Sequence, residues 1–179
     1  KNIPWETDNA IKGGTAYNAL HYLNADTTAE KITAKVNTIT FGLNSEHEDI
    51  IAANKGTLVD VEQDVPVYAY YVNNGSTYVV YLLADVDVYL PKDSTDRMRD
   101  MTALTAVDTS NLDTGRTENM LRLFRNCGKL TTLDTTGWDT SAVVNMEQLF
   151  YQCKSLETIV GLEDWDTGAV TNMMYMFRE

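Results

Sequence analysis

The sequence predicts an α/β protein in two parts: a mixed α/β cap with a β-hairpin and a small sheet over residues 1–92, and a solenoid of strand/turn-helix units over residues 93–179. The composition changes near residue 92, because all 6 Arg and all 7 Met follow Pro91. The second part repeats itself every 26 or 27 residues, and the first part has alternating apolar runs around an Asn-Gly turn. A chain of 179 residues is long enough for one ordinary domain or two small ones.

The first part begins with a predicted helix, a strand and a second helix. Apolar spacing favours a helix over 15–23, and alternation predicts a strand over 31–41 that ends at Gly42. Ser45 and Glu48 have the spacing of a capping box, which predicts the start of the second helix.

A hairpin and a third strand follow. The runs 65–72 and 78–83 are rich in β-branched and aromatic residues, and they flank Asn74-Gly75, a strong hairpin sequence. Residues 86–90 predict the third strand. We expect this part to cover the N-terminal end of the repeats, because an open end of a stack exposes apolar surface.

Residues 93–179 contain an internal repeat. An Asp-Thr-Ser/Gly triplet begins at Asp113, Asp139 and Asp166, at offsets of 26 and 27 residues. The same offsets superpose Asn119, Asn145 and Asn172; Met120, Met146 and Met173; Phe124, Phe150 and Phe177; and Cys127 and Cys153. The units are a degenerate first copy at 93–107, copies at 108–133 and 134–160, and an incomplete copy at 161–179.

Each unit predicts a turn, a helix and a short strand. The triplet side chains can bond backbone N–H groups and cap a following helix. Apolar residues recur at helical spacing from Val143 and over 170–177, and residues 130–134 predict a short strand or an extended turn. Neighbouring units must stack, because one unit cannot bury its own apolar face. The stack is expected to bury one column, formed by Met98, Phe124, Phe150 and Phe177.

The pattern of Asn-Met, Phe, Cys and Leu at fixed spacing after the triplet resembles the repeat of the BspA-like leucine-rich-repeat surface proteins of bacteria. The resemblance covers residues 93–179, about half of the chain. It implies a leucine-rich-repeat-type solenoid in a secreted or cell-surface adhesion module that is not an enzyme and holds no cofactor.

Charge and hydropathy argue against some classes of partner. The chain has 26 acidic and 14 basic residues, a formal net charge of -12. Such a chain repels phosphate backbones, so we expect no nucleic-acid binding. The apolar runs are far shorter than the ~18 residues of a membrane helix, so we expect no direct membrane insertion. The chain begins at Lys1 without an apolar signal-peptide core, which suggests a processed or excised piece.

The candidate partner-binding residues are tyrosines of the predicted hairpin: Tyr68, Tyr70, Tyr71, Tyr78 and Tyr81. Alternation places Tyr68 and Tyr70 on one face and Tyr71 on the other. We expect one group to pack on the helices and the other to be exposed to a protein partner or a sugar. The alternative is cross-strand pairing that only stabilises the sheet.

The cysteines, histidines and acids predict no catalytic or metal site. Cys127 and Cys153 occupy matching positions, which predicts two buried free thiols, and a disulfide is the alternative that a secreted context permits. His21 and His47 complete no metal quartet with them. The triplet aspartates form a row that can bind Ca²⁺ in principle, but their turn role explains them. A glycosidase with two paired catalytic carboxylates is a weaker interpretation, because among 26 acidic residues some pairs are inevitable.

The sequence therefore predicts a non-enzymatic extracellular or cell-surface module that binds a protein or glycan on a host or neighbouring cell surface. The alternative is a structural subunit or display domain of a larger surface or viral assembly. The last copy ends at Glu179, before its Cys and Leu positions, and residues 173–177 are apolar. We expect chain continuation or self-association there, because repeat arrays normally close with a polar cap.

Overall fold

The computed structural model describes residues 32–54, 56–60 and 66–179. The helix expected over 15–23 lies outside these residues. The described elements are, in chain order, a 3-10 turn Ile32–Lys35, β1 Val36–Leu43, a 3-10 turn Asn44–Glu46, α1 Glu48–Ala53, β2 Thr57–Asp60, β3 Val67–Asn74, β4 Thr77–Ala84, β5 Val88–Tyr89, β6 Ala106–Asp108, β7 Leu112–Asp113, β8 Thr132–Asp134, β9 Thr158–Val160 and a 3-10 turn Leu162–Asp164.

The largest sheet has five strands in the order β2-β3-β4-β1-β6. Strand β3 is antiparallel to β2 and β4, whereas β1 is parallel to β4 and β6. The predicted hairpin is confirmed as β3–β4, with Asn74 opposite Thr77. Its turn contains Gly75 at a φ of 79°, which residues with a side chain rarely adopt. Strand β1 does not end at Gly42 as expected but continues to Leu43.

The predicted fold class, with a solenoid of strand/turn-helix units, is wrong. The described residues are mostly in strands and turns, and their one α-helix is the six-residue α1. The segments from Val143 and over 170–177, where helices were predicted, are successive turns. The prediction of a capping box at Ser45 and Glu48 is also wrong, because α1 begins after His47 and has no side-chain cap hydrogen bond.

The physical reason for this error is that successive turns imitate the helical period. Turns return side chains to one side every three or four residues, as a helix does. The backbone φ angle is positive at Arg122 (55°) and Asn126 (61°), and at the matching residues Gln148 (54°) and Gln152 (59°). A right-handed helix cannot continue through these positions.

The units of residues 93–179 stack on one another in parallel, and we call this the repeat stack. Isolated parallel bridges join Asp93 to Asn119, Asn119 to Asn145 and Asn145 to Asn172. Short parallel pairs also join β5, which precedes the stack, to β7, and β8 to β9 within the stack. Because β6 of the repeats also pairs with β1, the five-stranded sheet and the stack share one apolar core that includes Ile39, Leu82, Met98 and Phe150.

Candidate functional site

The repeated asparagines hold the turns that begin each segment of the stack. Asn145 Oδ1 accepts a hydrogen bond from the backbone N–H of Glu147 at 2.9 Å, and Asn119 and Asn172 make the same bond at 3.1 and 3.0 Å. The amide groups of Asn119 and Asn172 reach the preceding unit, where they donate to Thr95 Oγ1 at 3.0 Å and to Glu147 Oε2 at 2.9 Å. These residues therefore set the turn geometry and join neighbouring units.

The repeated apolar residues form columns inside the stack. The Phe150 ring lies 5.7 Å from that of Phe124 and 5.5 Å from that of Phe177, measured between centroids. Met98, Phe124, Phe150, Met120 and Met146 are buried. Phe177 and Met173 lie in the same columns but in the last unit, where 55% and 42% of their surface is exposed.

The two cysteines are free and buried. The Cys127 thiol donates a hydrogen bond to the carbonyl of Met98, and the Cys153 thiol donates to that of Phe124, both at 3.0 Å. Burial raises the pKa of Cys153 to about 11 and raises that of Cys127 as well. Both thiols are protonated at neutral pH, so neither has the reactivity of a catalytic nucleophile.

The triplet aspartates accept hydrogen bonds from their own turns. Asp139 Oδ1 accepts from the backbone N–H and the hydroxyl of Ser141, at 3.0 and 2.6 Å, and these bonds lower the pKa of Asp139. Asp113 and Asp166 accept from the backbone N–H of Gly115 and Gly168, each at 2.8 Å. No group of His, Cys, Asp and Glu within the described ranges is arranged to hold a metal ion.

The tyrosines proposed for partner binding lie on both faces of the hairpin, and none of the five is fully exposed. Tyr70 is 7% exposed, and its ring lies so close to Gly56 that a Cβ there would come within 2.6 Å of it. Tyr81 contacts His47, with ring centroids 5.2 Å apart.

The other face of the hairpin is also covered. Tyr71 and Tyr78 pack against the apolar core, and burial raises the pKa of Tyr71. Tyr68, on the same face as Tyr70, is half-buried. The expectation that one tyrosine group lies exposed is therefore not met.

A second surface, which the sequence analysis did not single out, carries arginine and tyrosine in register. Arg99, Arg125, Tyr151 and Arg178 occupy one repeat position, at offsets of 26, 26 and 27 residues. The carbonyls of Arg125, Tyr151 and Arg178 each accept a backbone hydrogen bond from the preceding unit, at 2.8, 2.7 and 2.8 Å. We call these four residues the arginine–tyrosine column.

The side chains of the column interact with one another and with neighbouring residues. The Arg125 guanidinium carbon lies 5.1 Å from the Tyr151 ring centroid, and that of Arg178 lies 4.9 Å from the Tyr175 ring. Such cation–π geometry holds the flat groups against one another. Arg99 is held by Asp96 and Asp100 at 3.0 and 3.1 Å. Arg99, Arg125 and Tyr151 are half-buried, and Arg178 is exposed.

The signal that could have identified this column is the repeat register itself. A repeat is recognised most readily at positions that keep one residue type, such as the Phe and Cys positions. The column keeps the repeat offsets of 26 and 27 residues, but its residue type changes from Arg to Tyr to Arg. The same offsets relate outward positions of successive units as well as inward ones, and they place these four residues at one position.

Comparisons with known proteins give one match. Residues 93–179, just under half of the chain, match the family described as "Mycoplasma protein of unknown function, DUF285". Comparisons with curated proteins and with solved structures return no match. Among the described helices, none has the length and apolar character that a membrane-spanning segment requires. The chain is thus similar over its repeat stack to a family whose description assigns no function.

Proposed function

We propose that this protein is a non-enzymatic binding module, secreted or displayed at a cell surface, that recognises a protein or glycan partner through the arginine–tyrosine column. The observation that carries the proposal is a contrast within the repeats. Several inward positions keep the same residue from unit to unit, as with Phe124 and Phe150 or Cys127 and Cys153. The column position instead changes from Arg125 to Tyr151 to Arg178, so a recurring interior presents a particular set of side chains there.

The residue types of the column support a role in recognition. Arg and Tyr are enriched among the residues that dominate binding energy at protein interfaces. Both also bind glycans well, since a tyrosine ring can stack on a sugar and a guanidinium donates several hydrogen bonds. In a chain with a formal net charge of -12, a column of arginines favours a partner that presents carboxylate or sulfate groups.

The roles of the thiols and the triplet aspartates in the stack support a binding role over an enzymatic one. The two thiols are buried and donate to backbone carbonyls, and the triplet aspartates are engaged in turns. Each of these groups has a structural task that uses its hydrogen-bonding capacity. The secreted or surface location rests on the resemblance of the repeats to those of BspA-like surface proteins.

A binding screen tests the proposal. The purified chain is applied to arrays of matrix proteins and of neutral, carboxylated and sulfated glycans, and hits are measured by calorimetry. Replacing Arg125 or Tyr151 with Ala is expected to weaken binding by about tenfold or more, a loss of 1–2 kcal/mol for an interface residue of this kind. Lys129→Ala, at an exposed basic residue outside the column, is the matched control and leaves the affinity unchanged.

Two outcomes contradict the proposal. Equal effects of Arg125→Ala and Lys129→Ala would show that charge alone, rather than the column, attracts the partner. Binding that survives Tyr151→Ala and Arg125→Ala together would place the site elsewhere. Circular dichroism of each variant confirms that the fold is intact.

A further inference from the structure

The hairpin of β3 and β4 turns through Gly75 and Ser76, which connect Asn74 at the end of β3 to Thr77 at the start of β4. Residues 73–76 are all exposed to solvent. A Cβ placed on Gly75 would meet no atom within 4 Å, so open space surrounds the turn. Water and hydroxide can therefore reach the peptide unit between Asn74 and Gly75.

The pair Asn74-Gly75 has a chemistry that other asparagine sites in this chain lack. The backbone nitrogen that follows an asparagine can attack Cγ of the side chain and close a five-membered ring. Glycine favours this attack because it has no Cβ to crowd the ring and its backbone rotates freely. Asn74 is the only asparagine in the 179-residue sequence that is followed by glycine.

The Asn74 side chain also lacks the hydrogen bonds that hold most other asparagines of the described ranges. Within these ranges, neither the Asn74 side chain nor the Gly75 N–H has a hydrogen-bond partner. Side-chain hydrogen bonds are made by Asn44, Asn54, Asn111, Asn119, Asn126, Asn145 and Asn172. The structure thus leaves the most reactive asparagine unrestrained.

The ring closure requires a local movement of the hairpin. Asn74 is the last residue of β3, and its extended backbone must rotate to bring Cγ to the Gly75 nitrogen. This rotation opens the pair between Asn74 and Thr77, which is next to the turn, and leaves the pairs from Tyr68 to Asn73 in place. Local opening at an exposed end of an element costs much less free energy than global unfolding. The reaction can therefore proceed in the folded protein.

We propose that Asn74 is a site of spontaneous modification, at which the side-chain amide is lost with water as the co-reactant. The Gly75 nitrogen gives its proton to hydroxide and attacks Asn74 Cγ, so that the N–Cγ bond forms and the Cγ–Nδ2 bond breaks. The leaving Nδ2 takes a proton from water and departs as ammonia, which regenerates hydroxide. The product is a succinimide ring, and no group is oxidised or reduced.

Water then opens the ring at either of its two carbonyls. Breaking the bond between the Gly75 nitrogen and Cγ gives aspartate. Breaking the bond between that nitrogen and the original backbone carbonyl carbon gives isoaspartate, in which the main chain runs through Cγ. Two products of equal mass are therefore the signature of the cyclic route.

Both products change the tip of the hairpin. Each replaces a neutral amide with a carboxylate, in a chain whose formal net charge is already -12. Isoaspartate also adds one carbon to the main chain between β3 and β4. Because the length of a two-residue turn sets the strand register, this product weakens the pairs next to the turn, such as Asn73 with Tyr78.

Mass spectrometry of the folded chain tests the proposal. The protein is incubated at pH 8, sampled over several days and digested with pepsin at low pH, which stops the reaction. Asn74 is expected to gain one mass unit about tenfold or more faster than any other described asparagine, because only Asn74 precedes glycine. No gain at Asn74, a faster gain elsewhere, or a single aspartate product without isoaspartate overturns the proposal.

Two neighbouring substitutions test the ring closure. Asn74→Gln keeps a neutral amide but lengthens the side chain by one carbon, so a less favourable six-membered ring would be needed, and the mass gain is expected to disappear. Asn73→Gln changes the adjacent exposed asparagine and is the matched control, which keeps the gain. A gain that persists in Asn74→Gln or disappears in Asn73→Gln overturns the proposal.

A comparison with the unfolded chain tests whether the native hairpin itself reacts. A reaction that required global unfolding would be slowed about a thousandfold or more in the native protein, because the unfolded fraction of a stable domain is that small. Local opening is expected to keep the native rate within about a hundredfold of the rate in urea. A larger reduction overturns the proposal, and circular dichroism confirms that the chain in buffer is folded.

Discussion

The aromatic rings of Phe124 and Phe150 lie nearly parallel, with an interplanar angle of 14° and centroids 5.7 Å apart. The two residues are 26 positions apart in the chain and hold the same place in successive units. The contact therefore shows which residues of successive units are aligned. Substitutions at these Phe positions test how the units pack.

Replacing Phe150 with Ala is expected to lower the free energy of unfolding by about 3–5 kcal/mol, because the ring is buried between two others and its loss leaves a cavity. Phe177→Ala is expected to cost clearly less, since more than half of that side chain is exposed. Urea unfolding of both variants measures the difference. A larger loss for Phe177→Ala would contradict the register.

Both cysteines are expected to resist alkylation in the native protein. At pH 8, Cys153 should react about a hundredfold more slowly than an exposed thiol, because burial raises its pKa to about 11 and leaves little thiolate. In denaturant without reductant, mass spectrometry should find two alkylated thiols. A chain lighter by two protons with no reactive thiol would reveal a disulfide.

Ser141→Ala is expected to raise the pKa of Asp139 toward its ordinary value, because the Ser141 hydroxyl is the main cause of its lowering. The ionised Asp139 stabilises the fold at pH above the pKa of the unfolded chain, and this contribution disappears as the pH falls through the lower folded-state pKa. An NMR pH titration follows the change. Asp134, whose pKa Thr136 lowers in the same way, is the internal control and should not move.

Arg97→Met is expected to lower the free energy of unfolding by about 1.5–3 kcal/mol, the usual loss when a hydrogen bond to a charged group is removed. Met can fill the volume at this position, where the later units carry Leu123, Leu149 and Met176, but it cannot donate to the Asp93 carbonyl. Arg99→Met, which removes a more exposed ion pair, should cost no more than about 1 kcal/mol. Equal losses would show that the hydrogen bonds from Arg97 to the Asp93 carbonyl stabilise the fold no more than a surface ion pair does.

Features that depend on a few neighbouring residues could be predicted from the sequence alone. The hairpin could be predicted because Asn74-Gly75 restricts its own turn. The triplets could be predicted as turns because an Asp carboxylate reaches an N–H two residues away. The arginine–tyrosine column was missed although its offsets are in the sequence, because its residue types change between units.

The sequence by itself determined which residues share a column, since equal offsets bring Phe124, Phe150 and Phe177 to matching places in successive units. Only the tertiary structure decided that the segment carrying them is a series of turns and not a helix. Both conformations bury the same side chains, and they differ in where the backbone N–H groups donate. In a helix Phe124 would donate four residues back, whereas here it donates to Leu149 of the next unit at 3.0 Å, a partner that exists only after the units have stacked.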